Sequence, residues 1–409
     1  MVYNNQLILK PLVEEQIVFL ENIIKQMFHN RGLPFIKIHY LPHGYDWAIC
    51  LSHDVDHLSM REHSRDLTVP KFLGTCFVGV MKKRKGLLDF LELFVKVSCS
   101  VFLRAENMPD PWDNINELIQ AEKKFGVHST FFFSATDGAP KSLGIVYTLK
   151  SARSFVQAIS KNDFEFSTHG HNFDNYQGMS AEFNKISTIN NSFRPLGIRM
   201  HYLRFNSSKT LSCAEQVGYL YDCTYGYSKS TGLRSGTLRP YVVPDLSIIE
   251  IPLNIMDTSL FSPFYMNCDL NRGQIITEKL ITEAKKYGGT LSILFHPTSM
   301  LQPSISRQWI LWLLKRSSDD DSCWKVSCSE LAKWHKDWFN LRVNVEINEH
   351  KLILSFSCPM HEPLSLELTS PLSSQNRGIR MPKDETNLHI EFENTSINTQ
   401  TQSKSLNHA

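Results

Sequence analysis

Short apolar runs rich in β-branched and aromatic residues recur along the chain and predict a series of strands. They span residues 47–52, 127–134, 164–168, 197–203, 219–224, 248–253, 290–295 and 324–328. Runs such as AICL and LSILF do not alternate between apolar and polar positions, which is typical of strands buried on both faces. Helix-like stretches lie between the runs, at 112–125, 151–160, 210–217, 277–287 and 304–315. This alternation predicts an α/β protein with a parallel sheet, and seven or eight such units favour a barrel.

One interval, at about 58–111, is too long for a single connecting helix. It contains the basic run KKRK followed by GLLDFLELFVKVSCSVFL. One interpretation is an amphipathic element in peripheral contact with a membrane or a lipid-linked sugar. The other is a buried helix with a solvated basic start. We favour the buried helix, because Asp89, Glu92 and Lys96 are too sparse to define a strong polar face.

The alternation stops after Phe339. Residues 341–393 contain the alternating runs RVNVEI and KLILSFSC and two further strand patterns, which predict a small C-terminal antiparallel β appendage. Residues 394–409 are polar and nearly free of apolar side chains, so they are predicted to be disordered. Residues 1–44 carry a helical pattern over 14–30 and are predicted to form an N-terminal cap on a barrel that spans 45–340.

Composition excludes several classes of protein. The chain has 43 Lys and Arg against 41 Asp and Glu, so no global field favours a nucleic-acid partner. Its nine cysteines include no CxxC pair, which gives no support to a zinc ribbon or a thioredoxin-like motif. The sequence shows no signal-peptide pattern and no run of 18 uncharged apolar residues, so we expect no transmembrane segment and a cytoplasmic location.

Ionisable residues cluster directly after three of the apolar runs. SHDVDH (52–57) contains Asp54 and Asp56, STHGHNFD (167–174) contains His169, and ILFHPT contains His296. In a parallel barrel these three strand ends lie on one rim. Carboxylate and imidazole groups can bind a divalent metal that activates water, while another imidazole protonates a leaving group. The clusters therefore indicate metal-assisted hydrolysis of an amide or an ester.

The order and spacing of these motifs resemble the polysaccharide deacetylases, which have the NodB-homology fold and form carbohydrate esterase family 4. The resemblance covers roughly residues 45–340. It includes CLSHDVDH, GVHSTFFF, GIRMHYLRF, VGYLYDCTYGY, LRSGTLRPY, EIPLNIMDTSL and LFHPT, which look most like a subgroup associated with bacterial surface-polysaccharide synthesis. It implies a distorted (β/α)7–8 barrel and a divalent metal, zinc being favoured by the imidazole content. It also implies removal of an N-acetyl or O-acetyl group from a carbohydrate substrate, either a sugar of such a polysaccharide or its precursor.

The resemblance also assigns catalytic and metal-binding roles. Asp54 matches the catalytic base, His296 the catalytic acid, and Asp56 and His169 two metal ligands. The family's second histidine falls on Phe173, so the third ligand is either His171 or Asp174. A bend at Gly170 would turn His171 back toward the metal, which favours His171 slightly.

The family's R-x-P-aromatic motif corresponds to Arg199, Met200, His201 and Tyr202, with His201 in the proline position. Arg199 is expected to pair with Asp54 and to act in catalysis. The predicted substrate-binding residues are His201, Tyr202, Arg204, Asp222 and Arg234, the last two mainly bracing the rim. Two alternatives stay open. One is a catalytically impaired carbohydrate-binding or scaffolding relative, which the absent histidine at Phe173 allows, and the other is a metal hydrolase of the same fold that acts on a non-sugar amide.

Overall fold

The computed structural model describes residues 7–82, 86–102, 108–135, 145–189, 194–301, 304–348, 351–369 and 377–391. The tail predicted to be disordered, 394–409, lies outside these residues. The chain divides into two compact units, one formed by 1–20 with 40–339 and the other by 21–39 with 340–409.

The strands of the described residues are, in chain order, β1 (Phe35–Pro42), β2 (Trp47–Val55), β3 (Thr130–Ser134), β4 (Glu165–Gly170), β5 (Gly197–Met200), β6 (Tyr221–Asp222), β7 (Ile249–Glu250), β8 (Ile255–Met256), β9 (Thr290–Leu294), β10 (Cys323–Lys325), β11 (Val343–Asn348), β12 (Lys351–Phe356), β13 (Leu364–Thr369), β14 (Arg377–Met381) and β15 (Asn387–Glu391). The helices are α1 (Leu12–Asn30), α2 (Thr68–Met81), α3 (Leu87–Val97), α4 (Ile115–Lys124), α5 (Leu149–Lys161), α6 (Tyr176–Ser187), α7 (Thr210–Val217), α8 (Asp257–Phe261), α9 (Leu270–Tyr287), α10 (Ile305–Ser318) and α11 (Cys328–Asn340). Among them, no helix is long and apolar enough to cross a bilayer.

The first unit is built on a parallel sheet in the order β7-β6-β5-β4-β3-β2-β9-β8, with β10 also paired to β2. Its two end strands, β7 and β8, belong to one extended segment of the chain. In this segment the N–H groups of Ile251 and Leu253 donate to carbonyls beside β6, while the N–H of Asn254 donates to Ser292 of β9. One segment therefore bonds to both edges of the sheet and curls it into a distorted barrel, which confirms the predicted fold class.

Alternation along β2 divides the packing into an outer and an inner layer. All nine residues of β2 are buried, as the non-alternating sequence predicts. Ile49 and Leu51 pack outward in the core that includes residues of α4, α5, α9 and α10. Ala48 and Cys50 instead share the inner cluster with Phe132, and the start of α11 closes that cluster. Ser52 and Asp54 continue the inward-facing series, so the strand delivers a carboxylate to the barrel interior.

Within 58–111, the described residues include helices α2 and α3 and a π-helical turn over Ser98–Phe102 that follows α3. The expectation of a buried helix is wrong for α3. Leu93 and Val97 are buried, but Leu88 is 80% exposed, and Leu87, Leu91, Phe94 and Val95 are also exposed. The small number of charged residues in α3 is therefore no sign that its apolar residues are buried.

The second unit contains antiparallel sheets, as the C-terminal sequence predicts. One sheet has the order β11-β12-β15 with both pairings antiparallel. The other has the order β1-β13-β14, and β13 pairs antiparallel with β14. Strands β1 and β14 were not predicted.

Candidate active site

Asp54 lies near the end of β2 and is held by a buried arginine. Arg199 Nη1 donates to Asp54 Oδ1 at 3.2 Å and to Ser52 Oγ at 2.8 Å, and its Nε donates to the carbonyl of Cys223 at 3.0 Å. The guanidinium also lies 4.6 Å from the ring centroid of Phe132. The expected pairing of Arg199 with Asp54 is therefore present, and the arginine is fixed from several sides beneath the rim.

His169 presents a ring nitrogen to Asp56. Its Nδ1 lies 3.1 Å from the carbonyl of Arg199, and because a carbonyl only accepts, Nδ1 carries the proton in this contact. The other nitrogen, Nε2, lies 3.2 Å from Asp56 Oδ1. The contact with Arg199 therefore fixes the orientation in which a neutral His169 directs its lone pair toward the Asp56 carboxylate.

His201 is the third donor of the same cluster. Donor atoms of Asp56, His169 and His201 all lie within 4.8 Å of one another, so these three residues can hold a metal ion. Strand β5 ends at Met200, and the chain then turns through Tyr202 with φ of 59° and Leu203 with φ of 51°. Positive φ is uncommon for such side chains, and the turn keeps His201 at the rim while the chain leaves the barrel.

The side chains fit a divalent cation. Asp56 Oδ1 and His169 Nε2 are both buried and have no hydrogen-bond partner among the residues that the structure describes. A carboxylate oxygen and an imidazole lone pair this close repel each other unless a proton or a cation lies between them. Burial and the neighbouring His169 lower the pKa of His201 to about 4, although Asp56 opposes the shift, so His201 is a neutral imidazole at pH 7. This donor set can bind zinc or a similar ion.

The two residues proposed as the third ligand lie beside this cluster. The Nε2 of His171 is 2.9 Å from Ser134 Oγ, although its ring lies 4.9 Å from that of His201. Asp174 is exposed and outside the group of three donors. Gly170 is the last residue of β4, and a Cβ there would lie 2.8 Å from Met200 Sδ. The glycine supplies space for β5, and the extended strand directs His169 and His171 to different partners.

His296 lies across the site from His169. Its Nε2 is 3.8 Å from Asp56 Oδ2, while its Nδ1 donates to Asp257 Oδ1 at 2.7 Å. Burial opposes a charge on this imidazole, but the carboxylates of Asp257 and Asp56 outweigh that effect and raise the pKa of His296 to about 10. Asp257 was not among the predicted residues, although it directly follows a strand, β8, in the motif IMDTSL.

A cleft of about 660 Å³ opens onto these groups. Asp54, Asp56, His201 and His296 lie at its polar end. The remaining wall mixes apolar and aromatic side chains with hydroxyl groups of Thr and Ser residues; it includes Phe72, Phe261, Tyr265, Thr68, Thr75, Thr258 and Ser299. A cleft of this size and composition can bury a small ligand and hold it with a few polar contacts.

The predicted substrate-binding residues are divided between the cleft and its support. His201 and Tyr202 line the cleft, and their rings stack with centroids 4.1 Å apart. Arg204 lies over the ring of Phe173 at 5.8 Å, and Arg234 lies over that of Tyr225 at 4.3 Å. Asp222 is fully buried and accepts from the N–H and the hydroxyl of Thr224. Asp222 therefore braces the rim from below, where a substrate does not reach it.

The chain is only distantly similar to the known proteins with which it was compared. No family model matches the sequence, and no curated protein is significantly similar to it. A Mycobacterium smegmatis protein assigned as a polysaccharide deacetylase is 17% identical, with a TM-score of 0.49 over 75% of this chain and 96% of its own. A PuuE allantoinase is 14% identical, with a TM-score of 0.46 over 72% and 92% of the two chains. A Pseudomonas aeruginosa protein assigned as a polysaccharide deacetylase has the same identity and TM-score over 73% and 94%.

Proposed function

We propose that the protein is a polysaccharide deacetylase, a divalent-metal-dependent hydrolase that removes the acetyl group of an N-acetylated sugar. The observation that carries the proposal is the convergence of Asp54, the cluster of Asp56, His169 and His201, and the pair of His296 and Asp257 at one end of the cleft. The motif context supports a sugar of a bacterial surface polysaccharide, or its precursor, as the substrate.

Asp56, His169 and His201 would hold the metal. When bound, zinc or a similar ion supplies Lewis acidity that polarises the acetyl carbonyl and lowers the pKa of a coordinated water. The lowered pKa of His201 leaves its imidazole ready to bind without the loss of a proton. The carbonyl of Arg199 orients His169 so that its Nε2 faces Asp56. His201 thereby takes the place that the sequence assigned to His171 or Asp174.

Asp54 would act as the general base. Its Oδ1 accepts from Arg199, so the proton taken from water goes to Oδ2, whose contact with His169 Nδ1, at 3.8 Å, is longer than a hydrogen bond. Arg199 positions the carboxylate and takes no part in the proton transfer itself. This arrangement separates the base from Asp56, which faces the metal cluster.

His296 would act as the general acid. Asp257 keeps one proton on Nδ1, and the raised pKa keeps the second on Nε2 at neutral pH. Nε2 faces the cleft and can pass that proton to the amine nitrogen as the carbon–nitrogen bond breaks. The products are acetate and the free amino sugar. Asp54 then releases to solvent the proton that it took from water, and the deprotonated Nε2 regains a proton from solvent.

The proposal is tested with the Asp54→Asn variant. We expect purified wild-type protein to carry about one equivalent of metal and to release acetate from N-acetylated oligosaccharides. The variant should keep its metal and lose activity by on the order of a hundredfold, the usual scale for a general base. A folded wild-type protein that takes up no divalent ion would overturn the proposal in favour of a carbohydrate-binding relative. Turnover of non-sugar amides alone would favour a different hydrolase.

A further inference from the structure

The helices inserted between β2 and α4 carry an extensive exposed apolar surface. Within 58–102 the exposed large apolar side chains, which we call the insertion patch, are Leu67, Phe77, Met81, Leu87, Leu88, Leu91, Phe94, Val95 and Phe102. Single exposed apolar residues are ordinary on protein surfaces, but a group confined to one insertion marks an interaction site.

The arrangement of α3 shows that the patch is more than the edge of a core. Leu93 and Val97 bury one side of the helix in a cluster with residues of α2. Leu87, Leu91 and Phe94 follow each other at helical spacings of four and three residues and form an exposed stripe. The apolar surface of the helix is therefore wider than the part that the described residues cover, as in helices that lie in a membrane interface.

The charge around the patch identifies the kind of partner. Residues 58–111 contain nine Lys and Arg against six Asp and Glu, whereas the whole chain has a net charge of only +2. Four of the basic residues are consecutive, Lys82 to Lys85, between the sequences of α2 and α3. Lys82 is exposed, and its Nζ donates to the neutral carbonyl of Pro263, so this contact leaves its charge uncompensated. An insertion that combines an exposed apolar stripe with an excess of basic residues in its sequence matches an anionic bilayer, whereas two copies of it would bring like charges together.

The same insertion forms a wall of the catalytic cleft. Thr68, Phe72, Thr75 and Cys76 of α2 line the cleft, while Phe77 and Met81 of the same helix belong to the patch. Helix α2 therefore lies between a surface bound to the patch and a substrate bound in the cleft.

We propose that the insertion patch docks on an anionic lipid bilayer and presents the cleft to a carbohydrate attached to a lipid in that bilayer. The lipid-linked substrate rests on the proposed function, whereas the docking itself does not. Leucine and phenylalanine side chains enter the boundary between head groups and acyl chains, and the excess of basic residues in the insertion favours anionic head groups.

The experiment measures co-sedimentation of the full chain with vesicles of phosphatidylcholine and phosphatidylglycerol in equal parts, and with vesicles of phosphatidylcholine alone. We expect binding to the anionic vesicles that weakens as salt is added. The double variant Leu88→Glu/Leu91→Glu should reduce the partition coefficient by about tenfold or more, because each leucine gives up its apolar burial. Ile275→Glu is the matched control, since Ile275 is 59% exposed on α9, outside the patch and the cleft lining, and it should bind like the wild type.

Three outcomes would overturn the docking: no sedimentation of the wild type with anionic vesicles, equal loss in the Ile275→Glu control, or a wild-type dimer in light scattering that the double variant dissociates. Acetate release from a soluble oligosaccharide is measured in parallel and should be equal in the wild type and the double variant. The two measurements keep the two proposals apart. Wild-type protein that releases acetate but does not bind vesicles contradicts the docking alone, and wild-type protein that binds vesicles but releases no acetate contradicts the proposed function alone.

Discussion

His296 donates two hydrogen bonds to a single carboxylate, that of Asp257. Its Nδ1–H bonds to Oδ1 at 2.7 Å, and its backbone N–H bonds to Oδ2 at 3.1 Å. Asp257 is fully buried at the start of α8, in the wall of the cleft. The carboxylate therefore fixes the ring orientation of His296 and stabilises its positive charge.

Replacing Asp257 tests this relationship. Asp257→Asn keeps the size of the side chain and removes its charge, so the pKa of His296 should fall. The alkaline limb of the acetate-release profile should move to lower pH, and turnover at pH 7 should drop by about tenfold or more. Metal content measured on the same samples should not change. A variant with an unshifted profile would show that Asp257 has only a structural role.

The third metal ligand is tested by three alanine variants in parallel. His201→Ala should weaken metal binding by at least about tenfold, because it removes one of the three donors within 4.8 Å. Asp174→Ala should leave the affinity unchanged, since Asp174 is exposed outside that group. His171→Ala serves as the histidine control, because its Nε2 already bonds to Ser134. Competition with a chromogenic chelator measures all three, and a larger loss in His171→Ala than in His201→Ala would contradict the assignment.

The buried carboxylates of Asp222 and Glu250 make stability depend on pH. Burial raises the pKa of Asp222 to about 6, and burial together with the charge of Asp222 raises the pKa of Glu250 above its usual value. A carboxyl with a raised pKa in the folded state binds its proton more tightly than in the unfolded chain. The free energy of unfolding therefore falls as the pH rises from the unfolded pKa through the folded one.

Glu250→Gln removes this dependence while keeping an acceptor for the N–H of Tyr225. We expect the Tm of the variant, relative to the wild type, to be clearly higher at about pH 8 than at about pH 5. Glu15→Gln, at an exposed position of α1, is the control. Differential scanning calorimetry gives both values. A Tm difference that stays constant with pH would show that the pair does not exchange a proton in this range.

Gly197 is required by close packing between β5 and β6. A Cβ at this position would lie 1.9 Å from Cζ of Tyr221, which is buried and donates from its hydroxyl to Glu165. Gly197→Ala should lower the free energy of unfolding by about 1–3 kcal/mol. Gly74→Ala is the matched control, because nothing lies within 4 Å of a Cβ there, and within helix α2 it should be neutral or stabilise by up to about 1 kcal/mol. Urea denaturation measures whether each substitution lowers or raises the free energy of unfolding.

Much of the barrel could be predicted because its strands are short apolar segments. The runs at 47–52 and 290–295 coincide closely with β2 and β9, which are buried on both faces. The end of β5 was predicted three residues too late, since the apolar pattern continues through Leu203 while the backbone turns at Tyr202. A positive φ at tyrosine depends on tertiary contacts, so local propensity could not indicate it.

The sequence predicted that Asp54, Asp56, His169 and His296 lie together at one rim. It did not indicate the places of His201 and Asp257 in this group, because those depend on the direction of the side chains. His201 lies two residues after Arg199, and alternation along a strand places both on the same face. That pattern could have indicated His201 as a ligand, but His201 stands in the position of the family's proline and was predicted to bind the substrate instead. Asp257 had a weaker signal, because an acid after a short strand does not reveal that its partner is His296, 39 residues later.

The central strand β2 also has a consequence for the order in which the chain is made. Ser52 of β2 donates to the carbonyl of Ile293, 241 residues later, and β2 also pairs with β9 and β10. During translation, one edge of this strand, which is fully buried in the folded protein, therefore has no partner until β9 has left the ribosome. N-terminal nascent chains carry an open hydrophobic edge, which favours aggregation and makes native pairing a late event in biosynthesis.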